Sequence, residues 1–194
     1  MTGQFDMVLI GVGGQGIGLL SETLARAAAK AGIRVLGVDT HGLAQRGGTV
    51  LSHLRLGNVA RSPLVRANSA DCVIGLEIHE ALRGGRDYLR MGGLLAWVST
   101  SLQPLAVRLG KEAAVDGEAL GRFCGERSFR SMRVETPGLE DSRMENMVIL
   151  GRLVGAGEIP GISLQHVESA LGDLLPGKLL EENLRLLREA AASG

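Results

Sequence analysis

The feature that most constrains this chain is a short apolar run that leads through a glycine-rich stretch into an amphipathic helix. Met7-Val8-Leu9-Ile10 precedes Gly11-Val12-Gly13-Gly14-Gln15-Gly16. Residues 17–31 then place their apolar side chains on one stripe, and a second apolar run occupies 34–38. A short aliphatic run ended by glycines is typical of a strand buried on both faces. The pattern predicts a β-α-β unit whose strands pair in parallel through a right-handed crossover.

Strand and helix patterns continue to alternate along the chain. The further predicted elements are strands at 49–56, 72–76 and 94–98, and helices at 77–89, 144–154, 163–171 and 178–192. Glycine, proline and charges interrupt every run between 101 and 141, so no bounded element is predicted there. The alternation indicates a three-layer α/β/α fold with a mostly parallel, Rossmann-like sheet and a helical C-terminal third. We expect residues 1–194 to form one domain.

Composition and charge narrow the class of protein. The 29 glycines and the low aromatic content of 3% predict an aliphatic core closely approached by backbone. Lys+Arg and Asp+Glu are both 21, which argues against a broad footprint on nucleic acid or anionic lipid. Cys72 and Cys124 are too few for a four-thiolate cluster. No apolar segment approaches the ~20 residues of a membrane span, and the start of the chain lacks a signal h-region, so we expect a cytoplasmic protein without membrane contact.

The glycine-rich run matches G-x-G-x-x-G between a strand and a helix, a pattern that lets backbone N–H groups approach a phosphate. Asp39, at the end of the next predicted strand, stands where a nicotinamide ribose would be held. The candidate cofactor-binding residues are Gly11, Gly13, Gly14, Gln15, Gly16 and Asp39. One alternative is a free-standing NAD(P)-dependent oxidoreductase, although Tyr88 is the only tyrosine and no Tyr-x-x-x-Lys pair is present. The other is that the glycines only allow close strand–helix packing.

A second motif follows at 39–48, which reads Asp-Thr-His-Gly-Leu-Ala-Gln-Arg-Gly-Gly. A loop that carries Arg46 between permissive backbone positions can project a guanidinium toward a carboxylate, a phosphate or a partner's backbone. The alternatives are a turn with a solvated arginine and histidines that are ordinary core or surface residues. The candidate cofactor-binding or interface residues of this motif and of the strand after it are His41, Gln45, Arg46, Gly47, Gly48, His53 and Arg55.

These motifs together resemble the gamma-type domain of the 2-oxoacid:ferredoxin oxidoreductases. Residues 11–17, 41–48 and 52–55 carry the resemblance, and the form His-Gly-x-Ala-Gln-Arg-Gly-Gly is similar to that of the indolepyruvate-type small (beta) subunits. It extends over most of the chain, through Asp71, Glu77, 80–83, 88–89, 92–93, Thr100, Pro104, 146–151 and Asn183. Residues 116–141 depart from the family pattern, and Ser99 replaces a common Asn.

The resemblance implies a complex that oxidatively decarboxylates a 2-oxoacid with thiamine diphosphate and Mg²⁺, coenzyme A, and iron–sulfur clusters that reduce ferredoxin. It implies that a large subunit carries these groups, and that this chain binds none of them alone and is inactive when isolated. Val115-Asp116-Gly117 with Asn146 only imitates a diphosphate-binding Gly-Asp-Gly, because the first glycine is missing. We expect Asn146 to be a buried amide. A stand-alone binding module without a large chain is a third alternative, and the isolated chain is a possible homodimer.

Overall fold

The structure, a computed structural model, describes residues 3–40, 48–102, 109–110, 114–136, 139 and 141–193. Within these ranges six strands form one sheet: β1 (Phe5–Val12), β2 (Val35–Thr40), β3 (Thr49–Leu56), β4 (Ala70–Gly75), β5 (Leu89–Val98) and β6 (Arg130–Val134). The described helices are α1 (Ile17–Lys30), α2 (Ile78–Tyr88), α3 (Gly117–Glu126), α4 (Glu145–Gly155), α5 (Leu164–Leu174) and α6 (Gly177–Ala192). None of these helices combines the length and the apolar character that a bilayer crossing requires.

The sheet is mixed, with the strand order β2-β3-β1-β4-β5-β6. Strand β3 runs antiparallel to both of its neighbours, β1 and β2, and the other five strands share one direction. The mostly parallel sheet is therefore confirmed. The predicted pairing of β1 with β2 is wrong, because β3 is inserted between them and pairs with β1 along its whole length, from Phe5 opposite Leu56 to Val12 opposite Thr49.

Helices cover both faces of the sheet and divide the core in two. One cluster joins α1, α4, α5 and α6 to Met7 and Leu9 of β1, and the other joins α2 and α3 to Val8 and Ile10. Successive side chains of β1 thus pack on opposite faces of the sheet, as the two-residue period of a strand requires. Helices α1 and α2, which follow the adjacent parallel strands β1 and β4, lie on opposite faces. The carboxyl ends of these two strands therefore form a topological switch point, where open α/β sheets place their ligands.

The predicted helices near 17–31, 77–89, 144–154, 163–171 and 178–192 are confirmed. The elements that the pattern missed, α3 and β6, lie in the interrupted stretch 101–141. Helix α3 carries glycine at every fourth position, which weakens its helical signal. Strand β6 has five residues at the edge of the sheet, mostly exposed, so it lacks a long apolar run.

Candidate functional site at the carboxyl edge of the sheet

The glycine-rich turn links β1 to α1 at the switch point. Gly14 and Gly16 have φ values of 101° and 77°, in the left-handed region that favours glycine. A Cβ on Gly16 would also lie 2.4 Å from Nδ2 of Asn146, so the position excludes a side chain on steric grounds as well. The turn therefore requires glycine for its backbone conformation, whatever it binds.

Gln15 fills the space between the connection that follows β1 and the connection that follows β4. Its side chain is 3% exposed: Oε1 accepts a hydrogen bond from the Val12 N–H at 2.8 Å, and Nε2 donates to the Leu76 carbonyl at 2.7 Å. The amide thus ties the turn after β1 to the end of β4. A side chain of the chain itself therefore occupies the crevice between the ends of β1 and β4.

The N-terminus of α1 remains open to the surface. Its N-cap is Gly16, which offers no side chain to the first-turn amides. Gly14 and Gly18 are exposed, and a Cβ on either would meet nothing within 4 Å. By contrast, the side chain of Glu77 caps α2 by accepting from the N–H groups of His79 and Glu80. An uncapped helix N-terminus carries partial positive charge and free N–H groups, so this position can accept an anionic group.

The second motif begins and ends at the same edge. His41, Gln45, Arg46 and Gly47 lie outside the described residues, but both flanks are placed. Thr40 ends β2 and Gly48 precedes β3, and the Gly48 carbonyl accepts a hydrogen bond from the Gly13 N–H at 3.0 Å. The glycine-rich turn therefore contacts Gly48, the C-terminal flank of residues 41–47, which we name the Arg46 segment.

Asp39 lies at this edge but is engaged within the chain. Its Oδ1 accepts hydrogen bonds from Ser52 Oγ at 2.5 Å and Ser21 Oγ at 3.1 Å, and the two hydroxyls are 2.7 Å apart. Because β3 separates β2 from β1, Asp39 stands two strand spacings, roughly 10 Å, from the strand that leads into the glycine turn. In a dinucleotide-binding unit the two strands are neighbours, so this arrangement disfavours Asp39 as a ribose ligand. No sequence pattern had indicated that Ser21 and Ser52 would contact Asp39.

His53 and Arg55 are held by groups of their own chain. His53 is buried: its Nδ1 accepts from the Val65 N–H at 3.3 Å, and burial lowers its pKa. Arg55 makes a two-pronged ion pair with Asp6, at 2.9 and 2.8 Å. Both residues lie along β3 away from Gly48, with Arg55 near the opposite, amino edge of the sheet. The structure therefore places both residues apart from Gly48, the described flank of the Arg46 segment, and their polar groups are explained by contacts within the chain.

The sequence patterns also missed a buried pair at the start of α2. Glu77 is fully buried, and its Oε1 lies 2.8 Å from Nδ1 of His79 and accepts from the Leu102 N–H. The Val115 N–H donates to Nε2 of His79 at 3.0 Å, which requires that nitrogen to be unprotonated. The other ring nitrogen, Nδ1, faces the Glu77 carboxylate. Through these hydrogen bonds the pair connects the start of α2, which follows β4, to the segments that follow β5.

A second buried acid stands behind the glycine turn, in the first turn of α4. Glu145 accepts hydrogen bonds from the hydroxyls of Thr100 and Thr136, and burial raises its pKa. Asn146 is 1% exposed and donates from Nδ2 to the Gly16 carbonyl at 3.2 Å, which confirms the predicted buried amide. Within the described ranges, Glu145 Oε2 and Asn146 Oδ1 are buried without a hydrogen bond. Asn146 thus ties the first turn of α4 to the glycine-rich turn, while Glu145 holds Thr100 and Thr136.

Asp116 also has a structural explanation. Its side chain accepts from the Ala119 N–H at 2.7 Å and caps the N-terminus of α3. The segment Val115-Asp116-Gly117 is thus the start of a helix, which agrees with its interpretation as a chance imitation of a diphosphate-binding motif.

Comparison with known proteins agrees with the resemblance of the motifs. Residues 6–193 match the family model described as pyruvate ferredoxin/flavodoxin oxidoreductase. The chain is 33% identical to indolepyruvate oxidoreductase subunit IorB of Archaeoglobus fulgidus over 192 residues, which cover 95% of this chain and 92% of that protein. Its relative in Pyrococcus horikoshii, of the same name, is 30% identical over 187 residues, 94% of this chain and 92% of that one.

Solved structures share the fold. The gamma subunit of a keto/oxoacid ferredoxin oxidoreductase from Geobacter sulfurreducens superposes with a TM-score of 0.66 at 18% identity, over 98% of this chain and 99% of that one. The family match spans nearly the whole chain, from β1 to the end of α6. The chain therefore belongs to the pyruvate ferredoxin/flavodoxin oxidoreductase family, as a small subunit of the 2-oxoacid-oxidising type.

Proposed function

We propose that this chain is the small subunit of a thiamine-diphosphate-dependent ferredoxin oxidoreductase that acts on arylpyruvates such as indolepyruvate. Residues 1–194 act as a single domain that completes the active-site architecture of a large catalytic subunit. The names of the Archaeoglobus and Pyrococcus relatives support the substrate class, and their lengths match that of this chain. The isolated chain is inactive in this proposal, because the reacting groups belong to the partner.

The observation that carries the proposal is the contact between Gly13 and Gly48. It brings the open N-terminus of α1 and the flank of the Arg46 segment to one edge of the sheet. An uncapped helix N-terminus and a guanidinium such as that of Arg46 both favour anionic partners. A large subunit that presents a carboxylate or a cofactor phosphate to this edge would satisfy both.

The cysteines of the chain support placing the iron–sulfur clusters in the partner. Cys72 belongs to the core on one face of the sheet and Cys124 to the core on the other, so they cannot ligate one cluster. Burial raises the pKa of the Cys72 thiol to about 12, which disfavours the thiolate that a metal needs. Thiamine diphosphate supplies an electron sink for decarboxylation and the clusters carry the electrons onward; this chain's residues would shape and close the site.

Production of the chain with and without the large subunit from the same genome tests this function. The purified complex should reduce ferredoxin with indolepyruvate and coenzyme A, and faster than with pyruvate or 2-oxoglutarate. Either subunit alone should be inactive. A large subunit that is fully active alone, or a small chain that never associates with it, would leave this chain as a stand-alone binding module instead.

Replacement of the central arginine tests the proposed contact edge. Arg46→Ala should weaken assembly or turnover at least about tenfold while the melting temperature of the free small subunit stays unchanged, because truncated charges at desolvated contacts typically cost ~2 to 5 kcal/mol. Arg122→Ala, at a solvent-exposed position of α3, is the matched control and should assemble normally. If Arg46→Ala instead unfolds the free chain, and the folded remainder assembles and turns over normally, Arg46 is a structural residue.

A further inference from the structure

The connection between β3 and β4, residues 57–69, is a 13-residue segment that we name the β3–β4 loop. It lies at the amino edge of the sheet, because β3 ends opposite the start of β1, at Leu56 and Phe5. Strand β1 has 8 residues, so this edge is roughly 25 Å from the glycine-rich turn. The loop therefore belongs to a different surface from the site described above.

The β3–β4 loop is fixed by groups that reach it from several elements. Arg55 donates to the carbonyls of Ser62 and Leu64, at 3.2 and 3.4 Å, and the imidazole of His53 accepts from Val65. Ala60 is held on both sides, by Gln4 at its N–H and by Arg34 at its carbonyl. A partly buried ion pair and a buried imidazole thus hold a loop of which only a few residues, among them Ala60 and Val65, reach the core. Such preorganisation lowers the entropic cost of binding.

The outer surface of the loop carries uncompensated positive charge. Residues 57–69 contain two arginines, Arg61 and Arg66, and no acidic residue. Both are exposed, and neither side chain makes a hydrogen bond, an ion pair or a ring contact with the residues that the structure describes. The other arginines in the described ranges each meet a carboxylate, a carbonyl or an aromatic ring.

Exposed aliphatic side chains accompany these two arginines. Val59 is 70% exposed and Leu64 is 54% exposed, although both belong to a tightly held loop. Met91, at 76%, lies in the irregular start of β5, at the same edge of the sheet. Arginine and methionine are enriched at protein–protein interfaces relative to the rest of the surface, and aliphatic side chains between them supply apolar area to bury.

We propose that the β3–β4 loop is a second docking surface for the large subunit, at a face where carboxylates border an apolar pocket. This inference rests on the proposed function, since it takes the large subunit as the occupant. The unpaired arginines favour an acidic face by charge complementarity. The same charge disfavours a second copy of this chain docked loop to loop, because that arrangement would bring like charges together.

Charge reversal at the loop tests the surface with the subunits in their native pairing. The affinity of the large subunit is measured by titration for the wild type, for R61E/R66E and for the control R122E/K178E, which has the same net charge. The control residues are 66% and 88% exposed on α3 and α6. The loop variant should bind at least about tenfold more weakly and respond less to added salt, while the control stays within about twofold of the wild type. V59S/L64S should also bind more weakly, with an unchanged salt response.

Each outcome separates this inference from the proposed function. If the wild type binds the large subunit and R61E/R66E binds as the control does, the docking surface is refuted and the proposed function stands. If the wild type itself does not bind, both fail. If R61E/R66E changes only the self-association of the free chain in sedimentation velocity, the occupant is a second copy and the proposal is wrong. Circular dichroism of every variant establishes that it is folded.

Discussion

At the scale of single residues, the buried polar groups of the carboxyl edge hold neighbouring segments of the chain together through hydrogen bonds. Gln15, Asn146 and Glu77 each join backbone or side-chain groups of two connections that are distant in sequence. A buried polar group without its partner costs about 1 to 3 kcal/mol. The stability of the fold therefore explains why these residues are present, without a role in ligand binding.

Removal of the Gln15 amide tests this view. Gln15→Ala leaves the Val12 N–H and the Leu76 carbonyl without their side-chain partner, and we expect a loss of about 2 to 4 kcal/mol in the free energy of unfolding, measured with urea. Gln165→Ala, at an exposed position of α5, should change it by less than about 0.5 kcal/mol. Equal stability of the two variants would show that water replaces the amide at no cost.

Glu145 makes stability depend on pH in a defined direction. Burial raises its pKa in the folded state above the ordinary value of 4.5, so between these two values the native state binds more protons than the unfolded state. Stability contributed by this group is complete below the unfolded pKa and is lost as the pH rises through the folded pKa. Glu145→Gln removes this loss while the amide keeps an acceptor for Thr100 and Thr136.

The free energy of unfolding of Glu145→Gln, relative to the wild type, should therefore increase as the pH rises from about 4 to about 7. Denaturant titrations of both proteins at several pH values measure the difference. Glu181→Gln, on the exposed side of α6, should show no such trend. A difference that is constant with pH would mean that Glu145 ionises in the folded protein as it does in water, and a difference that decreases would mean that the fold lowers its pKa; either result would contradict this prediction.

At the scale of elements, α4 and α6 pack with their backbones in close approach. A Cβ on Gly151 would lie 2.4 Å from the Leu187 carbonyl oxygen and 2.8 Å from the Ala190 Cβ. Gly151→Ala should therefore cost about 1 to 3 kcal/mol by overpacking, although alanine is the better helix former. Gly172→Ala in α5, where an added Cβ meets nothing within 4 Å, should instead gain about 0.5 to 1 kcal/mol. Similar effects at both sites in thermal unfolding would contradict this packing.

Local patterns predicted the elements better than their arrangement. The apolar stripe of α1 and the alternation of β3 depend on nearby residues, and both were found. The insertion of β3 between β1 and β2 depends on pairing between distant residues, such as Phe5 with Leu56, for which periodicity carries no information. The short edge strand β6 escaped detection because it lacks a buried apolar run.

At the scale of the whole molecule, the site was also only partly predictable, because local patterns do not show which distant residues come into contact. The resemblance identified the family, and the glycine turn was located from its spacing. The sequence could not show that Arg55 pairs with Asp6 or that Asp39 pairs with Ser21 and Ser52, because these partners converge only through the strand order β2-β3-β1. Polar groups that looked available for ligands are thereby committed to the fold.

The strand order also bears on the alternative of an NAD(P)-dependent enzyme. A dinucleotide needs an open crevice beside the glycine turn and a ribose acid on the adjacent strand. Here Gln15 fills the crevice, and Asp39 lies beyond an inserted antiparallel strand with two serine hydroxyls on its Oδ1. We therefore expect the purified chain to bind neither NAD(H) nor NADP(H).

The melting temperature of the entire protein, measured with and without nicotinamide cofactors, tests this expectation. A ligand that binds only the native state at a hundred times its Kd adds about 2.7 kcal/mol to stability, which is a shift of several degrees in a domain of this size. Saturating NADH and NADPH should leave the melting temperature of the chain unchanged, and isothermal titration should show no binding heat. Micromolar affinity that Asp39→Ala or Gly13→Val abolishes would refute the expectation, because only a site built from the glycine turn and that carboxylate loses its ligand in both variants.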